Sequence, residues 1–245
     1  MPMTAAHPMA VLPLRWVKLD WTCLVIGSMS PDFEYFIRAD LASTLSHTLR
    51  GLFIFDIPIT LVAAVLFHYV VKRKALQVAP APIARRLAVY AQRPWMPRWT
   101  AKAVAILLVS ALIGAATHLF WDGITHGDGW APHRYRALVQ IVNVPILGPT
   151  IVHRVIQHVS TVVGLIVLAI VLVRTLRRVT PVELPPPSWR RRLVWAACIV
   201  GVGACTFLHL SHLHLWDLGS IVVAIIDAFL GGALIASLLT PRATR

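Results

Sequence analysis

Two residues that could do chemistry, His118 and Asp122, lie four positions apart at the end of an apolar run. On a helix this spacing points both side chains from one face. His126 follows four positions later, after Gly123, a residue that weakens a helix. Imidazole and carboxylate groups at this spacing can hold a divalent metal such as zinc. The alternative is a hydrogen bond between His118 and Asp122 that only stabilises a helix end.

The composition indicates a membrane protein. Of the 245 residues, 58% are hydrophobic and only 13% are charged, which is too apolar for a soluble domain. The net charge of +13 does not indicate nucleic-acid binding, because the basic residues lie in short segments between apolar runs, where they orient a membrane protein. The three cysteines form no CxxC pair, so a metal site must be built from histidines and carboxylates.

Five apolar runs are long enough to cross a bilayer, which requires about 20 residues each. They are residues 52–71, 103–121, 155–173, 193–210 and 218–239. The first 46 residues contain no clean span and are expected to form short helices. We therefore predict an all-α, polytopic membrane fold of about five transmembrane helices, with N-terminal helices packed over the outer face.

The distribution of proline and arginine divides the chain into three parts. Residues 1–175 are predicted to form a membrane domain that carries the metal site. Residues 176–192 are predicted to be a proline- and arginine-rich cytoplasmic linker, and residues 193–245 a C-terminal helical hairpin. The hairpin is expected to turn near His214 and Asp217.

The basic residues also predict the orientation of the chain. Sixteen of the 23 Lys and Arg residues lie in segments 72–102 and 174–192 and in the C-terminal tail, which the positive-inside rule places in the cytoplasm. Ten of the 11 histidines then fall on the outer side, with His68 as the exception. We therefore expect a bacterial cytoplasmic membrane protein whose site faces outside, with membrane lipid as a partner.

Six candidate metal ligands fall on this outer side. In chain order they are His7, Asp32, His47, His118, Asp122 and His126. This order resembles the family of zinc-dependent phospholipase C and S1/P1 nucleases, in which an early His precedes an Asp, a His about fifteen positions later, and an HxxxD pair. Here Asp32 and His47 are 15 positions apart.

The resemblance implies how the ligands are shared. One zinc would be held by a set of four residues, Asp32, His47, His118 and Asp122. Asp122 would bridge to a second zinc that His7 also binds, and His126 would begin a third site. The chain departs from the pattern at its start, where Met1-Pro2 replaces a free N-terminal Trp, and it has no final HxxxE or HxxxD pair. We therefore expect one or two ions.

Several short motifs within residues 1–175 carry a second resemblance. They are Ala6-His7-Pro8, Gly27-Ser28-Met29-Ser30-Pro31-Asp32, Ser46-His47, the HxxxD pair of His118 and Asp122, and Thr125-His126. With these motifs the chain resembles an uncharacterised bacterial family of membrane proteins, domain-of-unknown-function family 4184. That resemblance implies no established activity, although related membrane families with the same pattern are described as metal-dependent hydrolases.

The leading interpretation is metal-dependent hydrolysis of an ester, in particular a phosphoester, at the extracytoplasmic membrane face. In this interpretation Glu34 is a general base or supports a ligand, and His126 is a catalytic group. Arg134, Arg136 and His158 are candidates for binding an anionic substrate. The alternative for the two arginines is that they anchor the chain at the membrane interface.

Two other function classes fit the sequence. A transporter or metal permease would use Asp56 and Asp227, which lie inside apolar runs, as its relay. A structural membrane protein would use the metal only to hold its outer helices together. Hydrolytic turnover by the purified protein separates the enzyme from both.

Overall fold

The computed structural model describes residues 3–96, 99–145, 148–184, 188–212 and 218–240. Over these residues the chain is mainly helical, and the predicted all-α class is confirmed. Part of the predicted linker, residues 185–187, lies outside the described residues, as do His214 and Asp217 of the predicted turn.

Five of the described helices are long and apolar enough to cross a membrane, as predicted. Within the part of the chain that the structure describes, they are α3 (Leu49–Ala75), α5 (Ala101–Thr125), α7 (Val152–Arg178), α8 (Trp189–His212) and α9 (Leu218–Leu239). The first four extend several residues beyond the predicted runs at one or both ends, because polar residues that hydropathy excludes continue the same helices into the interface.

Shorter elements connect these helices. A 3-10 helix, Thr4–Trp16, begins the described chain and is followed by α1 (Trp21–Gly27), a 3-10 turn (Ser30–Asp32) and α2 (Phe33–Arg38). The basic segment between α3 and α5 contains α4 (Ala81–Gln92). Between α5 and α7 lie α6 (Trp130–Arg134), a 3-10 turn (Arg136–Val139), β1 (Ile141–Val144) and β2 (Gly148–Ile151).

The chain forms two compact units. The first comprises Met1–Asp32, Thr44–Leu61 and Val104–Val171. The second comprises Phe33–Ser43, Val62–Ala103 and Leu172–Arg245. The metal-ligand candidates in the four-residue set predicted above all belong to the first unit.

In the first unit, α1 and α5 cross with their backbones almost in contact. A Cβ atom added to Gly114 would lie 2.5 Å from the carbonyl oxygen of Leu24, and one added to Gly27 would lie 2.7 Å from that of Ala111. Only glycine allows such an approach. The crossing matters for the site, because it brings the carbonyl group of Ser28, directly after α1, against the His118 ring on α5.

In the second unit, α8 and α9 pack against each other. Their backbones approach at Gly232, where an added Cβ atom would lie 2.6 Å from the Cα atom of Ile199. The buried carboxylate of Asp227 accepts a hydrogen bond of 3.1 Å from the Thr206 hydroxyl. This bond satisfies one oxygen of an acid that would be costly to leave unpaired inside a membrane span.

The helix crossing generates a stability prediction. We expect Gly114→Ala to destabilise the protein by about 1–3 kcal/mol, because the new methyl group would overlap backbone atoms that cannot rotate away. Gly201→Ala in α8 is the matched control, since an added Cβ atom there meets nothing within 4 Å. Thermal melting in detergent should show a lower Tm for the first variant alone, and equal melting of both would contradict the close crossing.

The orientation inferred from Lys and Arg generates a second prediction. A single cysteine introduced at Asp128, between α5 and α6, should react with an impermeant thiol reagent added outside intact cells. A cysteine at Arg86 in α4 should react only after the cells are opened. The reverse pattern would place the site on the cytoplasmic side and overturn the assignment.

Candidate metal centre

Four ionisable side chains meet in the first unit. They are Asp32, His47, His118 and Asp122, and each offers one ligand atom that lies within 4.8 Å of those of the other three. Asp32 comes from the 3-10 turn after α1, and His47 comes from the segment before α3. His118 and Asp122 come from one face of α5, as their spacing predicted. The predicted convergence of these four residues is therefore confirmed.

The distances between the donor atoms fit a shared metal ion. His118 Nε2 lies 3.5 Å from Asp32 Oδ1 and 3.3 Å from Asp122 Oδ2. His47 Nε2 lies 3.6 Å from each of the same two oxygens. Donors bound to zinc at about 2.0–2.2 Å in tetrahedral geometry are about 3.3–3.6 Å apart, which agrees with these separations.

Burial of the donor atoms supports the same conclusion. His118 Nε2 and Asp32 Oδ1 are shielded from solvent and make no hydrogen bond within the described chain. A buried polar atom without a partner is costly, and these two point at one another from a distance too long for a good hydrogen bond. A divalent cation between the four donors would satisfy both atoms, so the residues present fit a metal ion.

Each of three ligands is oriented by a partner on the side away from the other donors. His118 Nδ1 donates to the Ser28 carbonyl oxygen at 2.8 Å, which leaves Nε2 facing the group as the nitrogen that a metal ion would bind. Asp32 Oδ2 accepts a hydrogen bond of 2.5 Å from the Thr4 hydroxyl. His47 Nδ1 lies 3.1 Å from the Ser46 hydroxyl oxygen. Such outer partners fix ring orientation and are typical of metal ligands.

Sequence patterns did not indicate that these outer partners would orient metal ligands. Ser28 and Ser46 stand in motifs that also contain ligand candidates, so their position beside the ligands was a usable signal. Thr4 gave no such signal, because its contact with Asp32 joins residues 28 positions apart.

The Asp122 carboxylate faces two ways. Its Oδ2 atom points at His118 and His47, whereas its Oδ1 atom lies 3.6 Å from His7 Nε2. The His7 ring also stacks on the His118 ring, with centroids 3.7 Å apart. His7 therefore lies beside the four-residue group and contacts it through Asp122 and His118.

His126 is oriented differently from the other candidates. Its Nδ1 atom donates to the Asp122 carbonyl oxygen at 3.1 Å, and its Nε2 atom lies 3.3 Å from Gln157 Nε2. Although Gly123 was expected to weaken the helix, α5 continues through it to Thr125. The structure therefore places His126 next to the four-residue group but not among its members.

The remaining predicted site residues lie outside this group. Glu34 is buried, and its two carboxylate oxygens pair with Arg38 at 3.2 Å and with Ser43 at 2.9 Å. The side chains of Arg136 and His158 are exposed. The Arg134 guanidinium group lies 5.9 Å from the Tyr135 ring centroid, also at the surface. Their roles with a substrate remain predictions.

The electrostatics of the group follow from burial and from charge pairing. Burial lowers the pKa of His7 to about 4, helped by the neighbouring His118 imidazole, so His7 is neutral at pH 7. Burial alone would raise the pKa of Asp32, but the imidazoles of His118 and His47 hold it well below its usual range. The pKa of His47 rises to about 9, because the carboxylates of Asp122 and Asp32 outweigh its burial. A metal ion would therefore displace the proton on His47.

Fold and site together define a helical membrane protein with a His/Asp group able to bind a metal ion. The sequence matches the family described as Domain of unknown function (DUF4184) over residues 1–238, and the chain belongs to that family. This match extends through the C-terminal helices, whereas the sequence resemblance was carried by residues 1–175. No curated protein and no solved structure matches the chain. The resemblance to phospholipase C and S1/P1 nucleases gains no support from these comparisons.

The geometry generates a prediction about metal content. Purified wild-type protein should retain a tightly bound divalent ion, and His118→Ala should lose it, because the variant removes one donor and leaves two carboxylates facing each other. His133→Ala is the control, since that exposed ring bonds the Gly129 carbonyl group and does not belong to the four-residue group. Elemental analysis by mass spectrometry gives the result. Equal metal content in all three proteins would refute the site.

Proposed function

We propose that this protein is a metal-dependent hydrolase that acts on an ester, in particular a phosphoester, at the extracytoplasmic face of the membrane. The observation that carries the proposal is the meeting of two carboxylates and two imidazoles at distances suited to one divalent ion. Nitrogen and oxygen donors of this kind suit zinc. When bound, such an ion supplies Lewis acidity, which makes a water molecule more acidic and offsets negative charge that develops on a phosphoryl group.

Two ions are compatible with the arrangement of donors. Asp32, His47 and His118 would hold the first together with Asp122 Oδ2. The second oxygen of Asp122 would bind a further ion with His7, whose neutral imidazole is in the form that a metal requires.

The protein's own catalytic group in this proposal is His126. Its side chain is 26% exposed, whereas that of His118 is fully buried, so His126 lies on the side of the group that a substrate would approach. Gln157 and the Asp122 carbonyl oxygen hold the ring in place. From that position, once the Gln157 amide releases it, His126 Nε2 would take a proton from the attacking water and return it to the leaving oxygen.

The depth of the group supports a substrate at the membrane surface. His118 is seven residues before the end of α5 at Thr125, which corresponds to about 10 Å along a helix. The ester and phosphate groups of membrane lipids lie near the ends of transmembrane helices. A lipid headgroup, bound by exposed Arg134 or Arg136, is therefore the substrate class that this proposal favours.

A structural metal is the second candidate function, and burial favours it. Asp32 and His118 are fully shielded from solvent, and structural metal sites are closed in this way. An ion there would join the 3-10 turn after α1 and the segment before α3 to α5. In that case, the metal stabilises the first unit and performs no chemistry.

One comparison of variants separates the two functions. We expect His126→Ala to keep most of its metal and its Tm but to lose about 100-fold or more in hydrolysis of a phosphodiester, the usual contribution of a proton-transfer group. His118→Ala should lose metal, thermal stability and turnover together. His133→Ala, the matched histidine variant in α6, should resemble the wild type in all three measurements.

The outcomes are distinguishable in detergent solution with the full chain. Absence of turnover by wild type on a broad panel of esters, combined with early melting of His118→Ala, would favour the structural metal. If His126→Ala hydrolyses the substrate as fast as wild type, the protein is still a hydrolase, but His126 has no part in its mechanism.

A further inference from the structure

The segment between α5 and α7 contains an uncharged, apolar stretch that the proposed function does not use. Residues 137–152 carry no charged side chain and are bounded by Arg136 and Arg154. This stretch contains β1 and β2, which form an antiparallel hairpin in which Ile141 pairs with Ile151.

The hairpin exposes apolar side chains. Ile141 is 71% exposed, and Val142, on the opposite face, is also exposed. The preceding residues Tyr135 and Val139 are about half exposed. Exposed apolar residues that are contiguous, rather than scattered, mark a surface that contacts a protein or a membrane.

A hairpin of this kind is poorly suited to water. Two strands alone are marginally stable in water unless a third strand or a packed helix covers one face. Within the described residues, β1 pairs only with β2. Both faces also carry β-branched residues, because Ile141 and Val142 alternate along the strand. An apolar environment outside the hairpin must therefore cover its exposed side chains.

The connection to α7 indicates that this apolar environment is the membrane. β2 ends at Ile151 and α7 begins at Val152, so no spacer separates the hairpin from a membrane span. The 27 residues of α7 are about 40 Å long, whereas the hydrocarbon core is about 30 Å thick. The excess of roughly 10 Å, shared between the two ends, leaves the base of the hairpin within the headgroup region.

The other end of the segment is fixed next to the metal-ligand helix. The Trp130 ring of α6 packs directly on the backbone of Gly123, the residue after Asp122, and contacts the Phe120 ring at 5.7 Å between centroids. Trp130 and Tyr135 are about half exposed, as aromatic residues at a membrane interface are. Both ends of the segment are thus held at membrane level.

We propose that the paired strands β1 and β2, with Tyr135 and Val139, insert into the lipid of the leaflet that faces the metal site. Their partner is the bilayer itself, namely the boundary between headgroups and acyl chains. Arg136 and Arg154, which bound the uncharged stretch, bind lipid phosphates at this level. This inference concerns membrane contact and does not depend on the proposed hydrolysis.

Site-directed fluorescence tests the insertion in the full chain. Cys198 and Cys205 are replaced by alanine, and buried Cys23 is left in place, so that a probe enters only at an introduced cysteine. The environment-sensitive fluorophore NBD is attached at Ile141→Cys, or at Asp128→Cys as the matched control. Asp128 is an exposed polar position in the same segment. The chain without an introduced cysteine gives the background.

The labelled proteins are studied in vesicles of phosphatidylethanolamine and phosphatidylglycerol. We expect the Ile141 probe to emit at shorter wavelength than the Asp128 probe. Its fluorescence should be quenched by a nitroxide attached to the upper part of the lipid acyl chain, but not by iodide dissolved in the water. The Asp128 probe should show the reverse. Iodide quenching of the Ile141 probe equal to that at Asp128 would overturn the proposal. Protection from both quenchers would also overturn it, because protein, such as a second copy of the chain, would then be the cover.

Discussion

The first unit depends on the electrostatic balance among four ionisable side chains at the end of a transmembrane helix. Two carboxylates and two imidazoles occupy one buried space, and leaving any one of them uncompensated would cost several kcal/mol. The surrounding chain keeps them in place through the close crossing of α1 and α5, the Ser28 carbonyl group on His118, and the Thr4 hydroxyl group on Asp32. The conformations of these short N-terminal segments are therefore constrained by the side chains that they hold at the site.

The sequence predicted the parts of this arrangement that follow local rules. Helical periodicity placed His118 and Asp122 on one face, and hydropathy predicted five spans, because both depend on neighbouring residues. The prediction that Asp32 and His47 meet His118 and Asp122 came from the order of these residues in the chain and from their assignment to the same side of the membrane. The contact of Thr4 with Asp32 and the hairpin before α7 had no local signal, since the first depends on tertiary packing and the second consists of an apolar run too short to identify as strand or helix.

The site combines two fully buried ligand candidates, Asp32 and His118, with two partly exposed histidines, His47 and His126. Asp32 and His118 are suited to hold an ion firmly, because their outer partners fix their orientation and solvent does not reach them. His126 lies a helical turn beyond Asp122, and Gln157 and the backbone hold it at the edge of the group. A hydrolase requires this division between a fixed metal and a group free to exchange protons, whereas a structural site requires only the former.

Locating the ion tests this account most directly. Crystals of the full chain loaded with zinc, measured on both sides of the zinc absorption edge, would give an anomalous difference map that depends on no assumption about the ligands. The account predicts a peak at about 2.0–2.2 Å from donor atoms of Asp32, His47, His118 and Asp122. Absence of an ordered zinc peak among these four side chains, including a result in which zinc binds only elsewhere in the protein, would contradict the central claim.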